Sequence, residues 1–498
     1  MKKTVVLFLS LFILLLACCK DSDQSSGSPG QDLYDHAKLL DQGGAFITAN
    51  NLYKQARAAL LSEGNAELAN QCRLSMHRID KILNDYNSTE ATVRANLKEF
   101  FPDLPETKIA WLLARIDHLN IEGTSYYWSG YISTVTNLDL SLMAQVPKAI
   151  QAYTKFWDGL APYVFGPPQN SWPPYRNPIT FIGNMTADVP RDKLPGTGIL
   201  KIWQPLPIIT DCQTNPSVVS VNPAQYVKHP ATMDGDLGDI YLEVPLEQLA
   251  GNLQLALQFK FTHSEQRFTM IDPNNVGTYD KNSELYKKYT ASGKNILITP
   301  EIAAKAREVV GGEQNPYYIA RKVYDYIVND LTYSTMPHLA LDSLGIPESV
   351  YVHEHRFGDC GGQSIYFSAL LRSLGIPARA TGGWQLIPGI GGDHFWAEFY
   401  LPNYGWVPVD TSVAQIGHYP LGKTPEQARI YMDYFFASMD PYRLVIQKDV
   451  DAPLVPVPTE PVSCTLALQE PDMVLETMDG IPGIVLHDYF KTTVVQAP

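Results

Sequence analysis

Between Leu253 and Thr262 the chain alternates without a break. Leu253, Leu255, Leu257, Phe259 and Phe261 fall on one side; Gln254, Ala256, Gln258, Lys260 and Thr262 fall on the other. A period of two gathers apolar side chains into one row only on a pleated strand; a helix would scatter them around its circumference. This run therefore commits its part of the chain to a half-buried strand. Ile199 to Trp203 and Ile240 to Val244 supply strand candidates nearby, separated by Pro-, Asn- and Gly-rich loops. Residues 176–275 accordingly read as a small β-sandwich domain.

On either side the period is helical. Tyr34, Ala37 and Leu40, then Ala49, Tyr53, Ala56 and Leu60, recur at helical spacing, with Gly43-Gly44 as the break. Residues 32–165 are expected to be a helical domain. Its first two helices resemble one pair of the tetratricopeptide type, and a plain helical hairpin fits them equally. Three such repeats are not present, so a solenoid is not expected. The Pro-dense stretch Gly166 to Pro178 marks a domain boundary. Beyond the sandwich, Thr299-Pro300 has the form of a cap followed by proline, Gly311-Gly312 ends that helix, and Asn315-Pro316 opens the next. In the second helix Ile319, Val323 and Ile327 share a face. Residues 338–357 are expected to be a long loop. A chain of 498 residues exceeds one ordinary core, so several domains are required.

The net charge is −14, with no block of five basic residues. Phosphate binding needs a basic footprint, so nucleic acid is excluded as an expected partner. Lys2 and Lys3 precede an apolar run of 13 residues, Val5 to Ala17, that is too short to span a bilayer and has the layout of a secretory signal, residues 1–17. It ends in Leu15-Leu16-Ala17-Cys18, which resembles the lipobox of bacterial lipoproteins; that resemblance implies lipidation of Cys18 and anchorage to a lipid membrane. Residues 18–31 would be the flexible tether. Of six cysteines, Cys72, Cys212, Cys360 and Cys464 are scattered through the body of the chain, in no zinc-like spacing. Outside the cytosol a lone thiol is exposed to oxidation and calls for an explanation.

The explanation lies at Gly358-Asp359-Cys360-Gly361-Gly362-Gln363-Ser364. This segment leads into a helix with Ile365, Ala369, Leu370 and Leu374 on its apolar face, stopped by Gly375-Ile376-Pro377. Asp359 is placed as N-cap, which puts Cys360 in the first turn. There unpaired N–H groups and the positive end of the helix dipole favour a thiolate and can hold an oxyanion. Gly361 and Gly362 leave room for a substrate carbonyl. The Asp359 carboxylate opposes the thiolate, so a base is needed. Further on, Phe395, Ala397, Phe399 and Leu401 alternate with His394, Trp396, Glu398 and Tyr400. Pro402 to Gly405 is a turn, and Trp406 to Asp410 reads as the returning strand. An even register would bring His394 and Asp410 to one face, where the carboxylate fixes the imidazole tautomer. His353 and His355 lie closer to Cys360 in sequence, but in the loop approaching the helix. Arg379 suits a structural ion pair, and Gly389 to Gly392 is either a gate or a hairpin turn.

The runs GDCGGQSIYFSALLRSLGIPAR, DHFWAEFYLPNYGWVPVD and the upstream helix ending NDLTYS resemble the transglutaminase-like superfamily of papain-type folds. Three motifs stand in the order Cys, His, Asp, spaced by 34 and 16 residues, within residues 295–450. The resemblance implies an α+β fold: a helix-borne cysteine packed on an antiparallel sheet, here preceded by the β-sandwich and the helical domain. It places the catalytic roles on Cys360, His394 and Asp410. By analogy an upstream side chain completes the oxyanion hole, for which Tyr333 is the candidate beside Gly361. Trp384 and Trp396 are candidates for lining the acyl cleft, with a core tryptophan the other reading of Trp384. No DxDxDG-like calcium loop is present, so neither metal nor cofactor is expected.

A Cys–His–Asp trio acting on an amide gives a thioester and frees an amine. Water then makes the chain a peptidase or amidase, and a second amine makes it a crosslinking transglutaminase. A hydrolase of the cell envelope acting on a peptide, protein or cell-wall peptide is the first expectation. Amine transfer, or a non-catalytic binding module on the same fold, are the rivals. Residues 451–498 form a Pro-rich C-terminal extension that either covers the sandwich or lies over the cleft.

Overall fold

The computed structural model describes residues 27–168, 171–462, 466–475 and 486–498. The expected signal sequence and Cys18 lie outside them, as does Cys464. Two compact units divide after Cys72. In the first, helices Pro29–Gln42 and Phe46–Ser62 bury Ala37, Ala49, Tyr53, Ala56 and Leu60. The opening helix starts inside the tether expected to run to residue 31, because Ser28 caps it and Pro29 fits its first turn. No helix among the described residues is long and apolar enough to cross a membrane.

The second unit begins with more helices, but residues 32–165 are not purely helical. Tyr86–Thr89, His118–Ile121 and Thr124–Trp128 form a three-stranded sheet. Strands of four or five residues are too short to imprint a period of two on a helical background.

The alternating run becomes the strand Leu253–Arg267, with its leucines and phenylalanines buried. It pairs along Tyr175–Val189 on one edge and Gln213–Asn222 on the other. A second sheet contains Ile199–Pro205 between Asp239–Pro245 and the C-terminal strand Asp472–Leu475. Phe181, Leu257 and Phe259 of the first sheet share a core with Leu200, Ile202, Leu242 and Met473 of the second. At about 1.5–3 kcal/mol per fully buried large apolar side chain, this shared face is what holds the sandwich shut. The C-terminal extension therefore belongs to the sandwich: Phe490–Gln496 pairs with Tyr175–Val189 just as Asp472–Leu475 pairs with Ile199–Pro205.

The remaining sheet is antiparallel, in the order Gly405–Val409, Gly392–Leu401, Ala378–Gln385, Arg443–Gln447. Against it packs the helix Cys360–Ser373, buried from Gly361 to Arg372. Helices Pro300–Val310 and Pro316–Asp330, capped by Thr299 and Asn315, share its core. Because the helix is covered on all sides, its polar residues bond inward. Ser364 and Ser368 donate to the carbonyls of Cys360 and Ser364, at 2.7 and 2.8 Å. Residues 338–357, expected to be a loop, instead contain helices His338–Leu344 and Glu348–His355. Gly345, left-handed at φ +69°, stops the first, and Pro347 starts the second. At seven and eight residues neither is long enough to display a helical period.

Candidate active site

Asp359 caps the nucleophile helix as expected: its Oδ1 accepts from Gly362 N–H at 2.9 Å. Cys360 stands in the first turn and opens onto a cavity of about 260 Å³ that is also lined by Gly361, Asp393 and Phe395. The two glycines differ in purpose. A Cβ on Gly361 would sit 3.4 Å from the Phe395 ring, an ordinary contact, whereas one on Gly362 would meet Met336 Sδ at 2.3 Å. Packing alone thus already gives Gly362 a purpose, since Val352 Cγ2 would lie 3.0 Å away as well.

His394 lies between Asp393 and Phe395, the two residues of its strand that line the Cys360 cavity. Ala397 stands opposite Val409, so the register carries Asp410 to a place beside Trp396 and hence to the His394 face. His394 Nε2 donates to Asp410 Oδ2 at 2.8 Å, so Nδ1 is the ring nitrogen outside that contact. Asp410 Oδ1 accepts from Val413 N–H at 3.0 Å and from the Ser412 hydroxyl at 3.1 Å. Its fourth partner was not foreseen: Arg443 Nη1 donates to Oδ2 at 2.7 Å, and the same guanidinium binds Asp440 at 2.7 and 3.0 Å. Burial alone would raise the Asp410 carboxyl, but the charges of His394 and Arg443 outweigh it and hold the group well below the usual carboxylate range.

The thiol is the opposite case. Burial, followed by the charges of Asp359 and Asp393, pushes Cys360 well above its ordinary value, against the pull of the Phe395 backbone N–H. The resting group is a neutral thiol, so ionisation must be coupled to a base. Tyr333 is near enough to Cys360 for their charges to interact. Burial, then Cys360 once it ionises, then the charge of Asp359 raise its phenol well above the ordinary range, which keeps it a hydroxyl donor.

Residues 303–411 match the model of the transglutaminase-like superfamily. This part of the chain is a transglutaminase-like core. An uncharacterized protein of Haemophilus influenzae is 29% identical over 156 residues, 27% of this chain and 41% of that protein. The uncharacterized protein YebA of Bacillus subtilis is 24% identical over 191 residues, 33% of this chain and 25% of YebA. The chain thus spans less than half the length of either relative. A crystal structure of a candidate cysteine protease from Cytophaga hutchinsonii aligns over 65% of this chain and 92% of its own, at 14% identity and a TM-score of 0.39.

Two expectations about the transglutaminase-like core need correction. Trp384 does not line the Cys360 cavity; it is buried in the sandwich core, and its indole N–H donates to the Gln469 carbonyl at 3.0 Å. Trp396 is likewise buried, with Ile208, Met439 and Val445, and the Arg443 guanidinium lies 5.3 Å from its ring centroid. The more polar strand face that holds His394 is in fact enclosed, so its tryptophan packs the ion pair instead of meeting substrate. On that face Arg379 pairs with Glu398 at 2.7 Å. His353 bonds the Tyr366 hydroxyl at 2.9 Å and His355 stacks on Tyr351, so neither competes with His394.

The outer wall of the cavity comes from residues far along the chain: Leu466, Ala467, Gln469 to Asp472 and His487. Gln469 fastens it, donating its amide to the main-chain oxygens of Gly383 at 2.8 Å and His394 at 3.0 Å. The extension therefore does both things the sequence left open, joining the sandwich and walling the cleft. No group of three or more His, Cys, Asp or Glu among the described residues is placed to hold a metal ion.

Proposed function

We propose that this chain is a cysteine acyl-enzyme hydrolase that cleaves an amide or peptide bond. The observation that carries the reading is the Asp410–His394 contact, anchored by Arg443, on the strand whose residues on either side of His394 line the Cys360 cavity. In this reading His394 Nδ1 takes the thiol proton as Sγ attacks the carbonyl carbon. Asp410 stabilises the imidazolium that forms. The oxyanion is met by N–H groups at the helix start and by the Tyr333 hydroxyl. Collapse expels the amine with a proton from His394, and water, deprotonated by the same imidazole, releases the acid. A cavity of about 260 Å³ takes one side chain beside the scissile group, in keeping with a peptide or protein substrate. The envelope address and lipid anchor rest on Lys2-Lys3, Val5 to Ala17 and Leu15-Leu16-Ala17-Cys18.

One feature favours a second reading. Asp393 and Asp472 line the cavity, and such a wall attracts the primary ammonium that an amine-transferring enzyme accepts. Incubation of peptide libraries with and without a tagged amine separates the two. Hydrolysis products free of tag are expected, and stoichiometric tag incorporation would replace the first reading by the second. His394→Ala should lower turnover by orders of magnitude; an unaffected rate would assign the base elsewhere.

A further inference from the structure

The helix cap poses an electrostatic problem. Asp359 satisfies an N–H of the first turn, yet it sets a carboxylate next to the thiol that has to ionise. His338, at the start of its own short helix, lies in the same cavity. Its Nε2 is 2.7 Å from Asp359 Oδ2, and its Nδ1 is 2.8 Å from Glu348 Oε1. An ionised carboxylate can only accept, and a neutral imidazole has a single N–H, so it cannot donate to both. The three groups must therefore share one extra proton, on the ring or between the ring and Glu348. Their sum is then one negative charge rather than two.

We infer that His338 is a positioning residue of this site: clamped as an imidazolium between Glu348 and Asp359, it cancels the charge that the helix cap would otherwise set beside Cys360. The inference rests on the reading of Cys360 as nucleophile. Glu348 is buried at the start of the helix Glu348–His355, where its N–H donates to Asn295 Oδ1 at 3.4 Å, so the outer carboxylate is held by the fold. Other charges stand around this cluster. Asp85, whose Oδ2 accepts from Ala340 N–H at 2.8 Å, adds a further negative charge behind His338. Asp451 acts on Glu348, and Asp393 and Asp410 act on the thiol itself. Burial disfavours the imidazolium, but Glu348 and Asp359 outweigh it and raise His338 well above the ordinary histidine range. Asp359 shows the reciprocal effect: burial would raise it, and the His338 charge brings it below its usual value.

The test is the pH dependence of Cys360 alkylation by iodoacetamide, followed by the mass of the peptide that carries it. Wild type is compared with His338→Gln, Asp359→Asn and the double variant. Asparagine caps a helix as well as aspartate, so the helix start survives the second change. His338→Gln should move the half-point up by about one pH unit, a tenfold slower reaction at pH 7. Asp359→Asn should move it down, and the double variant should recover most of the loss. That rescue is what a merely structural histidine would not produce. Superimposed profiles for wild type and His338→Gln, or a double variant no faster than His338→Gln, would overturn the inference. If His338→Gln does not fold, Asp359→Asn decides alone, and an unmoved half-point counts against the inference. Wild-type Cys360 reacting like the denatured chain at every pH would instead sink the nucleophile reading, while the shifts between variants would still report on His338.

Discussion

Arg443 donates to Asp410 Oδ2 from 2.7 Å, the oxygen that also holds His394 Nε2. The guanidinium is fully buried, and its opposite edge is bound to Asp440. Removing one partner of a buried ion network leaves uncompensated charge. Arg443→Met should therefore lower the free energy of unfolding by about 3–5 kcal/mol in urea titrations. A loss under about 1 kcal/mol, the scale of an exposed pair, would mean that the network is not what holds Asp410.

Acid should unfold the protein through the same carboxylates. Asp410 and Asp359 both have folded values below the roughly 3.9 of an unfolded aspartate. Each contributes stability that is complete above about pH 4 and is lost as pH falls through the lower folded value. His338 runs the other way. Its folded value lies above the unfolded one, so its contribution is complete below about pH 6.5 and is lost as pH rises through the folded value. Urea midpoints measured across the pH range should show both slopes. Asp410→Asn should flatten the acid limb and His338→Gln the alkaline one; slopes unchanged in the variants would assign them to other groups.

Glu470 gives a contrasting signal from the cavity wall. Burial, then the charge of Asp393, pushes its carboxyl up to about 7. The folded chain holds that proton more tightly than the unfolded chain, so the contribution is present at low pH and lost as pH rises through about 7. Glu470→Gln should raise the urea midpoint at pH 8 and leave it unchanged at pH 4. Equal midpoints at pH 8 would place Glu470 in water.

Gly383 stands opposite His394 in the sheet, and a Cβ there would lie 1.8 Å from the Leu444 main-chain oxygen. Backbone cannot swing aside as a side chain can, so Gly383→Ala must part the two strands. Calorimetry should register a loss of at least about 1–3 kcal/mol, the usual cost of overpacking. Gly361→Ala, which meets only ordinary contact, should melt with the wild type.

The parts of this site legible in the sequence are those written in local pattern. Asp359-Cys360 at a helix start, the alternation after His394 and the short turn to Asp410 each speak through spacing, and the structure places them as that spacing implies. Arg443 left no such trace. It sits at the start of a five-residue strand, ahead of the apolar Leu444, Val445 and Ile446, and its partner is 33 positions away in sequence. His338 and Glu348 were hidden because their helices are too short for a period, and they meet only through the ring itself. Trp384 and Trp396 misled for a related reason: alternation identifies which residues share a face but not what covers that face. Gln469, 75 residues beyond His394, belongs to a stretch that only its strand partner puts in place.

Between the amide of Gln469, fixed to Gly383 and His394, and Asp472, the first residue paired to the sandwich, lie only Glu470 and Pro471. Three peptide steps reach at most roughly 10 Å, and the proline restricts them further. The wall over Cys360 is thus a short strap tied to two sheets, unlike a flap hinged at one edge. The width of the cleft mouth is set by how far the sandwich stands from the catalytic sheet, so a change in sandwich packing is felt at the thiol as a change of aperture.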